Sequence, residues 1–381
     1  METTAVRLRA DALRITALVA SIGLAEASFA APVGPRPTKP AGLNSWLTGN
    51  AADAVVDLSQ GPGLLLMGGG SDVTVAFADR IFPRIPGGNI VVLRASGSDG
   101  YNDYFFEEIT TGPNRPASVE TLRIDTRAKA DLAYVEWALA GAEFIWMAGG
   151  DQSDYTDNWR GTKVEAGLRA AWERGAFIGG TSAGMAVLGE FIYDPGPNPS
   201  LTTTTAAANP YNASMRLTAR LFDAPWMNGV VTDTHFKNRD RMGRLMGIMG
   251  YLREEGRADA SILGIGASEA TSLFVDRDGK GIVDTHLDRG DAVYVLVEDA
   301  NTERLQVNPG EVLQLRGLYR YRLPAGATFD FATRTASVPG MRLSLDGTAV
   351  PVYTPADPYS DAVAEGGSTW VITSTPAATP Q

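Results

Sequence analysis

The sequence contains no cysteine, which excludes disulfides, thiolate metal sites and a cysteine nucleophile together. Histidine is almost absent as well, with only His235 and His286. An imidazole-rich zinc site is therefore not expected, and an imidazole base, if one operates, has just two candidates. Beyond the N-terminal region no segment approaches the ~20 unbroken apolar residues of a membrane span. A basic excess is also lacking, since Lys+Arg 33 against Asp+Glu 44 gives a net charge of −11. That balance argues against a nucleic-acid partner and leaves small or peptidic substrates open. No cofactor and no metal is expected.

What the chain has in excess is turn residues. Its 42 Gly and 22 Pro make about 17% of 381 residues, against a usual ~12%. Hydrophobic content of 44% nevertheless keeps it within the globular class, as one large or two unequal domains.

Residues 1–30 read as an export signal. Arg7, Arg9 and Arg14 precede an apolar run from Ile15 to Ala25, and Ser28-Phe29-Ala30 supplies small residues at a cleavage site. Asp11 and Glu26 fit that pattern less well; a frayed amphipathic helix is the bland alternative, and export is the preferred reading. Export implies a secreted or periplasmic protein without a membrane span after signal removal. A Pro-rich linker over 31–44 follows.

From residue 45 strands and helices alternate. Strand candidates are Gly63–Met67, Asn89–Ala95, Val119–Ile124, Phe144–Ala148, Phe177–Gly180, Val230–Asp233 and Ile262–Ala267. Helical patterns are clearest at Lys129–Ala142, Thr162–Arg174 and Asp240–Glu255. This alternation predicts an α/β domain over 45–310 with a mostly parallel sheet and helices on both faces. After residue 268 the helical period is lost and short β segments prevail, leading to a small β-rich C-terminal region over 311–375. Asp276-Arg277-Asp278-Gly279-Lys280-Gly281 is a hairpin turn rather than a calcium loop, because Lys280 replaces an oxygen ligand.

In such sheets ligands bind beyond the carboxyl ends of the strands. Gly68-Gly69-Gly70 lies at one such end, but lacks the spacing and the acidic partner of a dinucleotide site, so a sharp turn with close backbone approach is expected. Ala148-Gly149-Gly150-Asp151-Gln152 lies at another, where Gly amides and the Gln152 amide group can reach a ligand. Gly180-Thr181-Ser182-Ala183-Gly184 is the sharpest signal. It satisfies the G-x-S-x-G nucleophile elbow between a strand and the helical run Met185–Phe191. In an elbow the backbone lifts the Ser182 hydroxyl above the sheet, and the Ala183 amide faces a developing oxyanion. A Gly-rich turn is the bland alternative.

A serine at neutral pH needs a base. His235 follows the strand ending at Asp233 and so shares the rim with the elbow, whereas His286 falls in the β-rich part. The next residues are Lys237-Asn238-Arg239-Asp240-Arg241-Met242-Gly243-Arg244. With Asn238 as the cap, Arg239, Arg241 and Arg244 occupy the first two turns of a helix, where cations oppose the dipole. They therefore serve either substrate carboxylates or ion pairs with residues such as Asp233 and Asp240.

The ordered set Ala148–Gln152, Gly180–Met185 and Asp233-Thr234-His235-Phe236 with Arg239, Arg241 and Arg244 resembles cyanophycinase and its relatives in peptidase family S51. The resemblance covers roughly residues 60–300. It implies a class I glutamine-amidotransferase-like fold and serine exopeptidase chemistry on cyanophycin or related β-aspartyl peptides. It further implies Ser182 as nucleophile, His235 as base, oxyanion amides at Gly150 and Ala183, and substrate contacts from Gln152, Asp233, Arg239, Arg241 and Arg244. A homodimer is compatible with it. Two positions depart from the family pattern. Thr234 stands where Gln is common, and Thr205 occupies the apparent position of the acid that orients the histidine. Glu190 or Asp194 would then have to substitute, or the chain would be a non-catalytic peptide-binding homologue.

Overall fold

The computed structural model describes residues 33–109 and 112–361, so the expected signal segment 1–30 lies outside the described residues. Two sheets are interleaved along the chain. β1 (Asn44–Gly49), β2 (Leu64–Met67), β3 (Asn89–Arg94), β4 (Ser118–Arg123), β5 (Phe144–Met147) and β6 (Phe177–Thr181) enter the first sheet. β7 (Phe191–Tyr193), β8 (Leu217–Ala219), β9 (Val230–Asp233) and β10 (Leu263–Ala267) begin the second. β11 (Thr271–Val275) and β12 (Lys280–Thr285) return to the first, and β13 (Val293–Val297), β14 (Glu303–Gln306) and β15 (Gln314–Leu323) go back to the second. β16 (Thr328–Asp330) and β17 (Thr335–Ala336) close the first sheet, β18 (Gly340–Asp346) and β19 (Tyr353–Thr354) the second.

The parallel part of the first sheet is β4-β3-β5-β6-β2, flanked by antiparallel β1 on one side and β11 on the other. This is the expected α/β core with a strand-rich C-terminal region. The difference lies in β9 and β10. They run parallel to each other, but in the second sheet, where β10 continues into antiparallel β13. The apolar runs of β9 and β10 say that both faces are buried, not which sheet they join.

The six helices relevant to the site are α1 (Ala133–Ala140), α2 (Gln152–Trp159), α3 (Lys163–Arg174), α4 (Ala183–Ala186), α5 (Thr203–Ala208) and α6 (Met242–Glu254). Alternate residues of the core strands divide the interior. Leu64, Leu66, Leu93 and Ile145 pack with Tyr134, Trp159 and Leu168 of the helices and with Val230 and Ile265 of the second sheet. Leu65, Met67, Val92 and Trp146 face the other way, onto Phe77, Phe82 and Phe105. The outer face of the second sheet carries Val231 and Leu296 against Leu245 and Met249 of α6.

Several boundaries differ from expectation for local reasons. The segment 129–142 is not one helix, because Leu132 is extended and separates a single turn at Arg127–Ala130 from α1. Met185–Phe191 is helical only to Ala186, and Phe191 starts β7. α6 begins at Met242 rather than Asp240, and Asn238 does not cap it; its side-chain oxygen accepts from the Glu269 amide at 3.0 Å. The 276–281 turn is a hairpin, with Asp276 Oδ1 accepting from the Asp278 and Lys280 amides at 2.9 Å. Residues 33–43 lie against the domain: Arg36 pairs with Glu120 at 2.7 Å and covers the Tyr134 and Trp137 rings.

Candidate active site

The end of β2 ties the site together. The Ser182 amide donates to the Met67 carbonyl at 3.1 Å, the His235 amide to the Gly68 carbonyl at 2.8 Å, and the Ala270 amide to the Gly69 carbonyl at 2.8 Å. Three loops from two sheets thus converge on Met67-Gly68-Gly69. Side chains there would have no room. A Cβ on Gly68 would sit 2.0 Å from the Ser268 carbonyl oxygen, and one on Gly69 would sit 2.5 Å from the His235 ring. The glycine cluster is the sharp turn with close backbone approach that its sequence suggested.

Ser182 follows β6 with φ 52° and ψ −117°, a conformation rarely held by a side-chain-bearing residue. The elbow's small neighbours are required by contact. A Cβ on Gly184 would sit 2.0 Å from the Met147 carbonyl oxygen, and one on Gly180 would sit 2.4 Å from the Gly184 backbone. Only glycine lets α4 start this close to β5 and β6.

Ser182 Oγ lies 2.7 Å from His235 Nε2, and His235 Nδ1 lies 2.6 Å from Glu269 Oε1. The three side chains form a hydroxyl–imidazole–carboxylate relay of the kind that activates a serine. Burial lowers the His235 pKa; the Glu269 hydrogen bond and charge oppose the shift, while Arg239 and Arg241 add to it. The neutral, proton-accepting ring is thereby favoured near neutrality.

Glu269 is the carboxylate beside His235, and sequence reasoning missed it. The two substitutes considered are engaged elsewhere. Glu190 pairs with Arg220 at 2.7 Å and accepts from the Gly229 amide, while Asp194 accepts from Ser153 and Thr156 hydroxyls, each at 2.6 Å. Thr205 lies on the surface, in a reciprocal cap of α5 with Thr202. A signal for Glu269 existed: it follows β10 by two residues, at the carboxyl end of the strand parallel to the one that delivers His235.

The other residues to which the resemblance gives a site role line one cavity of about 260 Å³ with Ser182 and His235: Gly150, Gln152, Ala183, Asp233, Arg239, Arg241 and Arg244. Gly150 and Ala183 flank the serine from the β5 and β6 loops. Tyr155 holds the first of these loops by donating to the Ala148 carbonyl at 2.7 Å. Gln152 donates to the Tyr193 carbonyl at 3.2 Å, leaving its side-chain oxygen without a partner among the described residues.

The arginines divide by environment. Arg244 is buried, forks onto both oxygens of buried Asp233, donates to Ser200 Oγ at 2.9 Å and stacks over Tyr193 at 4.8 Å. Arg241 donates to the Thr234 carbonyl at 2.8 Å and only grazes Asp233 at 3.5 Å. Burial, with the like charges of Arg244 and Arg239, pulls its guanidinium down to about 10 against the attraction of Asp233. Arg239 is exposed and makes no side-chain hydrogen bond or ion pair among the described residues. One buried carboxylate therefore serves two guanidiniums, and the cavity beside Ser182 is left short of an anion. His286 does not line this cavity, and Thr234 offers a hydroxyl and a carbonyl to Arg241.

Known proteins are similar to parts of this chain. Residues 95–210 match the model of peptidase family S51. A cyanophycinase from Synechococcus elongatus is 30% identical over 218 residues, 56% of this chain and 61% of that protein. One from Nostoc sp. (strain PCC 7120) is 29% identical over 219 residues, 57% of this chain and 66% of that protein. The chain thus spans about two thirds or less of the length of these curated relatives. Among solved structures, a peptidase from an acI-B1 Actinobacterium aligns with TM-score 0.46 at 15% identity, over 71% of this chain and 97% of that one. A putative peptidase E protein from Listeria monocytogenes EGD-e aligns with TM-score 0.36 at 15% identity, over 59% and 99%. Over residues 95–210 the chain is thus similar to peptidase family S51, and over rather more than half of its length it is similar to the cyanophycinases.

Proposed function

We propose that this chain is a serine-type peptidase that cleaves cyanophycin or related β-aspartyl peptides. The observation that carries the reading is the continuous Ser182–His235–Glu269 relay, with gaps of 2.7 and 2.6 Å. In this mechanism His235 Nε2 accepts the Ser182 proton as Oγ attacks the scissile carbonyl, and Glu269 steadies the imidazolium that results. The amides of Gly150 and Ala183 receive the oxyanion. Collapse breaks the C–N bond, and the proton on His235 goes to the leaving amine. Water, deprotonated by the same ring, then releases the acyl group from Ser182. Arg239 and Arg241 supply the uncompensated charge that holds a substrate carboxylate, and the free oxygen of Gln152 accepts from a substrate donor. Asp233 acts on substrate indirectly, through Arg241 and Arg244.

The rival reading, a non-catalytic peptide binder, rested on Thr205 in place of the acid, and Glu269 beside His235 Nδ1 supports the catalytic reading over it. Export remains part of the proposal, supported by Arg7, Arg9 and Arg14 ahead of the Ile15–Ala25 run.

The test incubates the purified chain with cyanophycin and a β-aspartyl peptide panel and identifies products by mass. Dipeptide release is expected, together with labelling of Ser182 by a serine-directed acylating probe. Ser182→Ala is expected to lose both. Product release by Ser182→Ala at the wild-type rate overturns the assignment.

A further inference from the structure

The turn between His235 and α6 carries His235, Arg239 and Arg241, and it is conformationally costly. Two of its non-glycine residues, His235 and Asp240, have φ of 47° and 44°. Such conformations persist where surrounding structure holds them. α6 also begins without a side-chain cap from its own N-cap residue, Arg241, so its first amides need acceptors from elsewhere.

Both needs are met from the far end of the chain. Tyr359 Oη accepts from the Met242 amide at 3.0 Å and donates to Asp240 Oδ1 at 2.9 Å. Tyr353 Oη accepts from the Gly243 amide at 3.0 Å and lies 3.2 Å from both Asp240 Oδ1 and Thr203 Oγ1. The Tyr359 ring also meets Phe236, the residue after His235, edge-on at 6.1 Å. Burial pushes both phenols up, so each hydroxyl keeps the proton it donates.

We propose that Tyr353 and Tyr359 are positioning residues: they clamp the 235–241 turn and so aim Arg239 and Arg241 at the carboxylate of a peptide substrate. This assigns the C-terminal strands a part in substrate recognition, and it rests on the peptidase reading above. A purely structural role would stabilise α6 without affecting substrate. The same helix supplies the control, because Tyr211 donates to Glu255 at 2.8 Å just past its opposite end.

The experiment compares Tyr353→Phe, Tyr359→Phe and Tyr211→Phe. Melting temperature is measured with kcat and KM on a carboxylate-bearing β-aspartyl peptide and its amidated analogue. Kd for the first peptide is measured by calorimetry with each change placed in Ser182→Ala. Tyr353→Phe and Tyr359→Phe are expected to raise KM and Kd by roughly tenfold for the carboxylate peptide, as misplaced substrate-holding groups do. kcat should stay close to wild type and discrimination against the amidated analogue should shrink. Tyr211→Phe should leave KM and Kd unchanged. Should a Phe variant fail to fold, Asp240→Asn weakens the same hydroxyl contacts and reads the same effect. Unchanged Kd in both clamp variants, an equal rise in Tyr211→Phe, or no binding at all to Ser182→Ala overturns the proposal. If wild type releases no product while the clamp variants still weaken binding, hydrolysis fails and the clamp stands.

Discussion

Replacing Glu269 by Gln keeps a hydrogen-bonding side chain beside His235 Nδ1 but removes the charge that supports an imidazolium. An amide in that place can also hold the ring in the wrong tautomer. Glu269→Gln should therefore lower kcat by about a thousand- to ten-thousand-fold without loss of fold, read by steady-state kinetics and far-UV dichroism. Thr205→Ala, far from the relay, loses the return hydrogen bond from the Thr202 amide and should cost only about 0.5–1.5 kcal/mol. The pH profile tests the base itself. The pKa of His235 is lowered chiefly by burial, and only the neutral ring accepts a proton, so activity is lost as pH falls through that lowered value. The acid limb of kcat/KM should accordingly lie below the ordinary imidazole value of 6.5. Arg239 is a like charge on the same ring, so Arg239→Gln should move the limb upward. An unmoved limb would mean that another group governs it.

At the scale of elements, the stretch 238–244 was expected to be the first two turns of a helix capped by Asn238 and is instead a turn, a cap and a helix. That change separates arginines that look equivalent in sequence. Arg244, in the first turn of α6, has a side chain only 4% exposed and faces Asp233 at 3%. Arg244→Ala leaves a buried carboxylate unpaired and should cost about 3–5 kcal/mol, read as a fall in the denaturation midpoint. Arg239→Lys, in the turn, should leave the midpoint unchanged and raise KM for carboxylate-bearing peptides. The reverse ranking would exchange their roles. Gly68–Gly70 teaches a related lesson. Its glycines were legible as a turn, yet the partners that require them, Ser268, His235 and Glu269, lie about 165–200 residues further along the chain.

For the whole molecule, the interleaving of the two sheets is the governing fact. Strands after residue 310 extend both sheets, with β15 and β18 in the second and β16 in the first. They carry buried Leu315, Leu318, Tyr321, Leu323, Phe329, Leu343 and Leu345. At about 1.5–3 kcal/mol per buried side chain, their removal costs about 10–20 kcal/mol, as much as or more than the ~5–15 kcal/mol by which a domain is normally stable. A chain ended at residue 310 should therefore not fold, whereas residues 33–361 should melt in one cooperative transition. Calorimetry of the two checks this, and an independently folded 33–310 fragment would show that the C-terminal strands are an appendage.

The sequence by itself located the strands of the parallel core, the sharp turn at Ser182, His235 on the same rim and several of the residues that line the cavity. Each of these is written in local order: an apolar run, a glycine spacing, a residue just past a strand. Tertiary structure alone decided the rest. Which sheet β9 and β10 join depends on pairing with β13, which no local pattern encodes. Which carboxylate reaches His235 depends on β10 lying beside β9, so that Glu269 arrives 34 residues later in the chain. Which arginine is free depends on where one buried carboxylate, Asp233, is spent. Local propensities fix short-range geometry, whereas pairings between distant segments are set by burying all of their surfaces at once.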